Sequence, residues 1–424
     1  MKRILLALFM ISMVAGISAQ DSRPFEVTKT TYDPYIAEKG GFDSLFVNPA
    51  GMAGQSEYFV FEVEAGTSGA TSTYETLKLL LDNPSLFGGT ATTNPTAADL
   101  DAIMVLLADN LSDADVATLF ATTTLGFTTQ AELATHIDGG GTITQADADI
   151  IAGNANSNPA IVENAAAGLT GDLKVDLEAT VKLGTLISGF GIGLYGNAWT
   201  NLDATTLGVN PLIAETGVKL GYGFNLGPLG IGVSGDFAVI GNMPSSSVAD
   251  LMSTSFTYGY AWGIDAGVTL DILPSLTVGA VLTDIIGSYS PAGSTSIDAL
   301  MSGATPGALA YTYSFDLVLD FGVTWAPQIG NGKLLAPKFH VDYYNFIGLF
   351  MPDGPRTFQG VLNNMRIGAE LELLSFINAK AMYYNEFFSV GAGVDIMFFE
   401  VFGEFKFNQQ FTDIGGSVLV KLHF

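Results

Sequence analysis

His136, His340 and His423 are the three imidazoles of a chain that contains no cysteine. None lies in an HExxH or GxSxG arrangement, so zinc-assisted hydrolysis and serine acyl transfer both lack their residue sets. Without thiols there is no thiolate metal site, no disulfide framework and no lipid carried on an N-terminal cysteine. The stretch from His136 to Asp147 is similar to an EF-hand loop in its glycine at position six and its acid at position twelve. It has His at the first ligand position, Gly at the fifth, and Asp where a bidentate Glu belongs, so a glycine-rich link between two short helices is expected instead. Neither catalysis nor a cofactor is expected, and no metal site is assigned. The basic residues are more informative. Lys174, Lys182, Lys338, His340 and Arg366 stand at alternate positions of apolar stretches, beside acids such as Asp176, Glu178, Asp342 and Glu370. Cations so placed pair with carboxylates on neighbouring strands or accept a ligand carboxylate. These five are the candidate ligand contacts.

Alternation with a period of two requires strands to position them. From Leu173 to Leu183 the odd positions are apolar, while the even ones read Lys174, Asp176, Glu178, Thr180 and Lys182. Phe315, Leu317, Leu319, Phe321, Val323 and Trp325 likewise oppose Asp316, Asp320 and Thr324, which assigns all six apolar side chains to one outer face. Fourteen such segments are recognisable, the first at 56–66 and the remainder between 171 and 424. Their links alternate between short, such as Gly227-Pro228 and Leu374-Ser375, and long, such as 286–311. Short turns at one end and long loops at the other, with an even strand number, predict an all-β transmembrane antiparallel barrel in an outer membrane. With the N-terminus periplasmic, every long loop is external.

The composition agrees. The chain is 48% apolar and only 14% charged, with 50 glycines and 11% aromatic residues. Beyond the first residues no apolar run reaches the roughly 18 needed for a membrane helix. Residues 1–19, with Lys2-Arg3, an apolar core and Ala15 to Ala19, read as a secretory signal peptide. The net charge of −26 with 16 basic residues excludes nucleic acid as a partner. The final strand places Val418, Val420, Leu422 and Phe424 on one face and resembles the terminal strand that the outer-membrane barrel assembly machinery recognises.

Residues 67–169 read differently. Thr96, Ser112, Thr129 and Thr144 each precede an acid three residues on, the pattern of a helix-capping box. The segment carries twelve acids and a single basic residue, Lys78. It is an acidic helical insertion between the first two strands, expected on the extracellular side. The expected order is signal peptide 1–19, N-terminal hatch 20–55, barrel 56–66 and 170–424, and insertion 67–169.

Before the first strand stands Gly40-Gly41-Phe42-Asp43-Ser44-Leu45-Phe46-Val47-Asn48-Pro49-Ala50-Gly51-Met52-Ala53. This resembles the Asn-Pro-Ala segment near the mature N-terminus of the FadL-type outer-membrane family. At residue level the resemblance covers about 40–54; in strand number and order it covers the mature chain. It implies a fourteen-stranded barrel plugged by an N-terminal hatch that contains Asn48, Pro49, Ala50 and Gly51, and passive uptake of long-chain fatty acids or other hydrophobic compounds. A plugged lumen argues against a general porin. Pro49 fixes φ and holds Asn48 extended, Asn48 can bond backbone groups, and Gly51 suits a turn. The insertion departs from the family pattern and offers the alternative of an adhesion or interaction protein with a host or surface partner.

Overall fold

In the computed structural model, fourteen long antiparallel strands follow one another and close into a barrel. The structure describes residues 30, 32–71, 73, 96–158, 160–161, 164–165, 174–203, 208–244, 246–247, 253–296, 307–308, 312–329, 335–350, 354–355 and 357–424. The signal peptide and the start of the hatch segment lie outside the described residues. The strands are β1 Glu57–Ala70, β2 Lys174–Ile187, β3 Phe190–Asp203, β4 Gly208–Leu226, β5 Leu229–Met243, β6 Phe256–Leu273 and β7 Leu276–Thr295. They continue as β8 Val318–Trp325, β9 Leu335–Tyr343, β10 Met365–Leu373, β11 Ile377–Tyr384, β12 Phe387–Ile396, β13 Phe399–Asn408 and β14 Asp413–His423. Pairing of β1 with both β2 and β14 closes the ring. At that seam Tyr58 N donates to Phe424 O at 2.7 Å and Phe424 N to Phe59 O at 3.0 Å.

The outer face is a belt of exposed apolar side chains, among them Leu194, Phe237, Trp262, Trp325, Phe339 and Phe405. Side chains between them point inward and carry the charge: Asp236, Asp265, Asp342, Arg366, Glu404 and Lys421 are all buried. An apolar exterior around a polar interior is stable only where lipid surrounds the strands. Among the described residues no helix is long and apolar enough to cross a membrane. The chain is an outer-membrane β-barrel.

One expectation about facing fails. Phe315 was assigned to the outer face with Phe321 and Trp325, but it is 5% exposed and lies inside, packed with Tyr289. The cause is an irregularity in the wall. Ile264 of β6 pairs with Ile286, whereas Ala266 pairs with Leu282, so β7 bulges around Asp284, whose φ is +53°. Against β8 the ladder ends at Val318–Thr283 and resumes as Ser314–Ser288. A bulge re-aims the side chains beyond it, and the absent side chain at Gly287 leaves space for the Phe315 ring. The strands also reach further toward the long loops than alternation alone indicated, β7 continuing to Thr295 rather than ending at 285.

The helical unit has a core of its own. Following α1 at Ser44–Val47, helices α2 Ala97–Leu107, α3 Asp113–Leu119, α4 Gln130–Asp138 and α5 Gln145–Ser157 bury Leu100, Ile103, Leu107, Leu119, Phe120 and Ile151 together. Full capping boxes start α3 at Ser112 and α4 at Thr129. Thr144 caps α5, while the carboxylate of Asp147 turns to Thr124 N at 2.6 Å and Thr124 Oγ1 at 2.7 Å. The Asp99 side chain, which would complete the box at Thr96, lies outside the described residues.

Candidate functional site: the plugged lumen

Residues 32–56, the plug segment, lie against inward-facing groups and one turn of the wall: Ile36 N donates to Asp342, Lys421 reaches Asp43, and Gly189 N donates to Gln55 O. Their fold follows from a few local rules. Pro49 begins a short 3-10 helix, Pro49–Met52, and Asn48, held extended at φ −140°, caps it by accepting from Ala50 N at 3.1 Å. The Asn48 amide donates to Ile36 O at 2.7 Å, tying the two limbs of the segment together. Phe42, Leu45 and Met52 form a small apolar core with Val60 of β1 and Leu186 of β2. Gly51 is needed for space and not for turn geometry: a Cβ there would meet Ser44 Oγ and, at 2.6 Å, Glu38 O.

The wall is hollowed to receive this plug. Glycines stand on the inward face wherever plug backbone comes closest. A Cβ on Gly267 would strike Asn48 Oδ1, one on Gly232 would strike the Pro49 carbonyl carbon, and one on Gly368 would strike the Tyr35 hydroxyl. Gly223, Gly279 and Gly322 do the same for Pro49 O, Ile36 O and the Ile36 side chain. Of these six, only Gly223 and Gly232 have another glycine two residues away, at Gly221 and Gly230, and such spacing does not name what they accommodate.

Charged groups complete the seating. Arg366 is fully buried and donates to three plug carbonyls, Thr30 O and Asp33 O at 2.6 Å and Pro34 O at 3.0 Å. Tyr35 fits beside Gly368 and stacks on His340 at 4.1 Å with planes 8° apart. Asp342, opposite Arg366 in the β9–β10 register, accepts from Ile36 N at 3.1 Å. On the other side of the lumen Asp43 receives Lys421 at 2.6 Å and Lys182 at 3.6 Å, and Lys182 also contacts Glu62 at 2.8 Å. Lys338 reaches Glu38 at 2.8 Å. Lys182, Lys338, His340 and Arg366 thus all meet the plug. The Lys174 side chain lies outside the described residues. Sequence reading missed the plug's own partners, Tyr35, Glu38 and Asp43, which carry no signal beyond being polar in a mostly apolar segment.

A cavity and a packed apolar cluster flank these contacts. A polar cavity of about 230 Å³ is lined by Glu38, Lys338, Glu370, Glu372, Lys380 and Asp395 among others. Beyond the polar pair Lys219–Asp265 at 2.6 Å, Ala238, Ile240, Ala261, Tyr289 and Phe315 cluster with Tyr195 and Ile213, around one buried carboxylate, Glu215, which lies opposite Ile240 and accepts from the Tyr195 hydroxyl at 3.0 Å.

No protein-family model matches the chain, and no curated protein matches it either. Among solved structures it is similar to the Ralstonia pickettii toluene transporter TbuX, with 9% identity, TM-score 0.44, and coverage of 92% of this chain and 96% of that one. It is also similar to a Pseudomonas aeruginosa FadL homologue at 11% identity and TM-score 0.43, covering 94% and 98% of the two chains. The deltaS2 mutant of the TodX monoaromatic hydrocarbon channel follows at 9% identity and TM-score 0.41, covering 92% and 94%.

Proposed function

We propose that the barrel is a FadL-like passive conduit for hydrophobic compounds, with long-chain fatty acids among the candidate ligands. The observation that carries this reading is the inward-facing apolar cluster of Ile213, Ala238, Ile240, Ala261, Tyr289 and Phe315, set apart from the charged plug contacts. Water-filled pores for polar solutes have polar linings, whereas apolar ligands need apolar walls with few polar groups to orient them. In this reading the cluster receives the ligand and Lys219, paired with Asp265, is the nearest cation for a carboxylate head. The segment around Asn48, Pro49, Ala50 and Gly51 then acts as the hatch whose shift lets the ligand pass.

Native mass spectrometry of the barrel in mild detergent tests this. A retained apolar mass, lost in Ile240→Asp, is the expected outcome. Absence of any retained apolar mass across several detergents, together with no uptake of apolar probes into proteoliposomes, counts against a conduit.

A second reading, ranked below the conduit, is that the acidic helical module, which has a core of its own, binds a surface partner. Deleting the module then abolishes surface binding and leaves the barrel folded.

A further inference from the structure

At the edge of the polar cavity three side chains converge. One carboxylate oxygen each from Glu38 and Glu370 and a ring nitrogen of His340 all lie within 4.8 Å of one another. Glu38 belongs to the plug, His340 to β9 and Glu370 to β10. His340 is 1% exposed, and its Nε2 has no hydrogen-bond partner. A buried polar nitrogen without a partner is costly unless a ligand completes it. The ring is held by its other contacts: Thr324 Oγ1 lies 2.9 Å from Nδ1, and Tyr35 stacks on its face. A hydroxyl on Nδ1 that fixes the imidazole and directs Nε2 outward is the arrangement around metal-bound histidines. Nε2 points to Glu370 Oε1 at 3.9 Å, too long for a hydrogen bond and suited to an intervening atom.

The surroundings fit a cation. Four carboxylates, Glu38, Glu370, Glu372 and Asp395, line the cavity against two ammoniums, Lys338 and Lys380. These carboxylates have partners that an ion could displace: Lys338, 35% exposed, bridges Glu38 at 2.8 Å and Glu370 at 3.6 Å, Lys380 lies 3.2 Å from Glu370, and His423 lies 3.3 Å from Asp395. The cavity of about 230 Å³ has room for the displaced Lys338 head and for waters that would fill the remaining coordination positions.

We propose that Glu38, His340 and Glu370 form a binding site for a divalent transition-metal ion. One imidazole with two carboxylates selects ions of the zinc, manganese or nickel kind over calcium or magnesium. Because one ligand comes from the plug and two from the wall, the ion staples the plug to β9 and β10. Lys338 is its competitor, occupying the carboxylates when no ion is bound. The site is independent of what, if anything, the barrel conducts.

The test is calorimetric titration of Zn²⁺ into the chelator-washed, full-length barrel in detergent, with folding followed by heat-dependent gel mobility. One ion per chain is expected, with affinity reduced at least about tenfold in His340→Gln and in Glu38→Gln. Lys338→Met, which removes the competitor and leaves all three ligands, is expected to bind more tightly. X-ray absorption at the zinc edge should report one imidazole and oxygen ligands. Failure of the wild type to bind, unchanged affinity in folded His340→Gln, or unchanged or weaker binding in folded Lys338→Met would each overturn the proposal.

Discussion

The Arg366 guanidinium lies over the ring of Tyr35, 3.8 Å from its centroid, so the wall's most deeply buried cation is sandwiched against the plug rather than facing open lumen. Its two terminal nitrogens donate to the backbone of Thr30, Asp33 and Pro34, and its Nε to Met382 Sδ at 3.0 Å. The register places it directly opposite Asp342, which holds the amide of the next residue, Ile36. Donor and acceptor on adjacent strands therefore grip consecutive stretches of one plug limb.

Replacing Arg366 by Met should release that limb while leaving the barrel closed. Hydrogen bonds to a charged donor contribute about 1.5–3 kcal/mol each, so loss of this group is expected to dominate plug stability. Limited proteolysis of the purified protein reports it: cleavage within 30–40 should accelerate while heat-dependent mobility of the barrel stays as in the wild type. A plug equally resistant in Arg366→Met would show that the carbonyl contacts are dispensable.

The glycine hollows give a second test that needs no ligand. The chain has no cysteine, so Ala50→Cys is a unique thiol at a fully buried position. It should resist maleimide in the otherwise native protein. Adding Gly267→Ala places a methyl against Asn48, and labelling should accelerate about tenfold or more, the response to about 1.4 kcal/mol of lost plug stability. Equal labelling rates would mean the wall yields instead of the plug.

Acid should act on the helical unit through Asp147. Hydrogen bonds from the Thr124 hydroxyl and amide, and from the Thr144 hydroxyl, hold its carboxyl below the usual aspartate range. A depressed folded-state pKa means that the ionised form stabilises the fold. The contribution is therefore complete above the ordinary aspartate value of 3.8 and is lost as pH falls toward the lower folded value. Helical ellipticity of the full chain, followed through thermal melts from pH 6 to pH 3, should show a falling melting temperature at the acid end. Asp147→Asn should be less stable at pH 6 and lose less stability than the wild type over that acid range, the remaining loss coming from groups such as Glu132, whose carboxyl is likewise held below its ordinary range by hydrogen bonds from Thr128 and Thr129.

At the seam, the ring of Phe424 contacts Phe59 at 5.8 Å and Phe398 at 5.7 Å, and its backbone exchanges hydrogen bonds with β1. Phe424→Ala loses these ring contacts, at about 0.5–1.5 kcal/mol for each aromatic pair. The folded, heat-modifiable fraction recovered from outer membranes is expected to drop. In refolding into detergent, where no assembly machinery is present, the deficit should be smaller; an equal deficit would assign the residue to barrel closure alone.

The barrel was legible because a wall with lipid on one face and a polar lumen on the other writes a period of two into every strand, as at 173–183. Phe315 was misread because alternation assumes an unbroken ladder, and nothing in the residues between 283 and 288 announces that β7 bulges. Asn48 was read as a residue that can bond backbone; it accepts from Ala50 N and donates to Ile36 O. The work of Arg366 was not legible, since its partners are carbonyl groups that every residue possesses. His340 could be placed on the inner face, but the approach of Glu38 from 302 positions earlier in the chain depends on how the plug folds.

The hollowed wall has one more consequence. At the level of residues 32–56 the bore is narrowed by a separate piece of chain, and the wall there carries bare glycines and charged side chains together. Were the plug to leave, Arg366 would lose the carbonyls of Thr30, Asp33 and Pro34 and Lys421 would lose Asp43, so the opening would present charged arms beside naked amides. Selectivity at that level would then be shared between the stopper and the neck of the bottle.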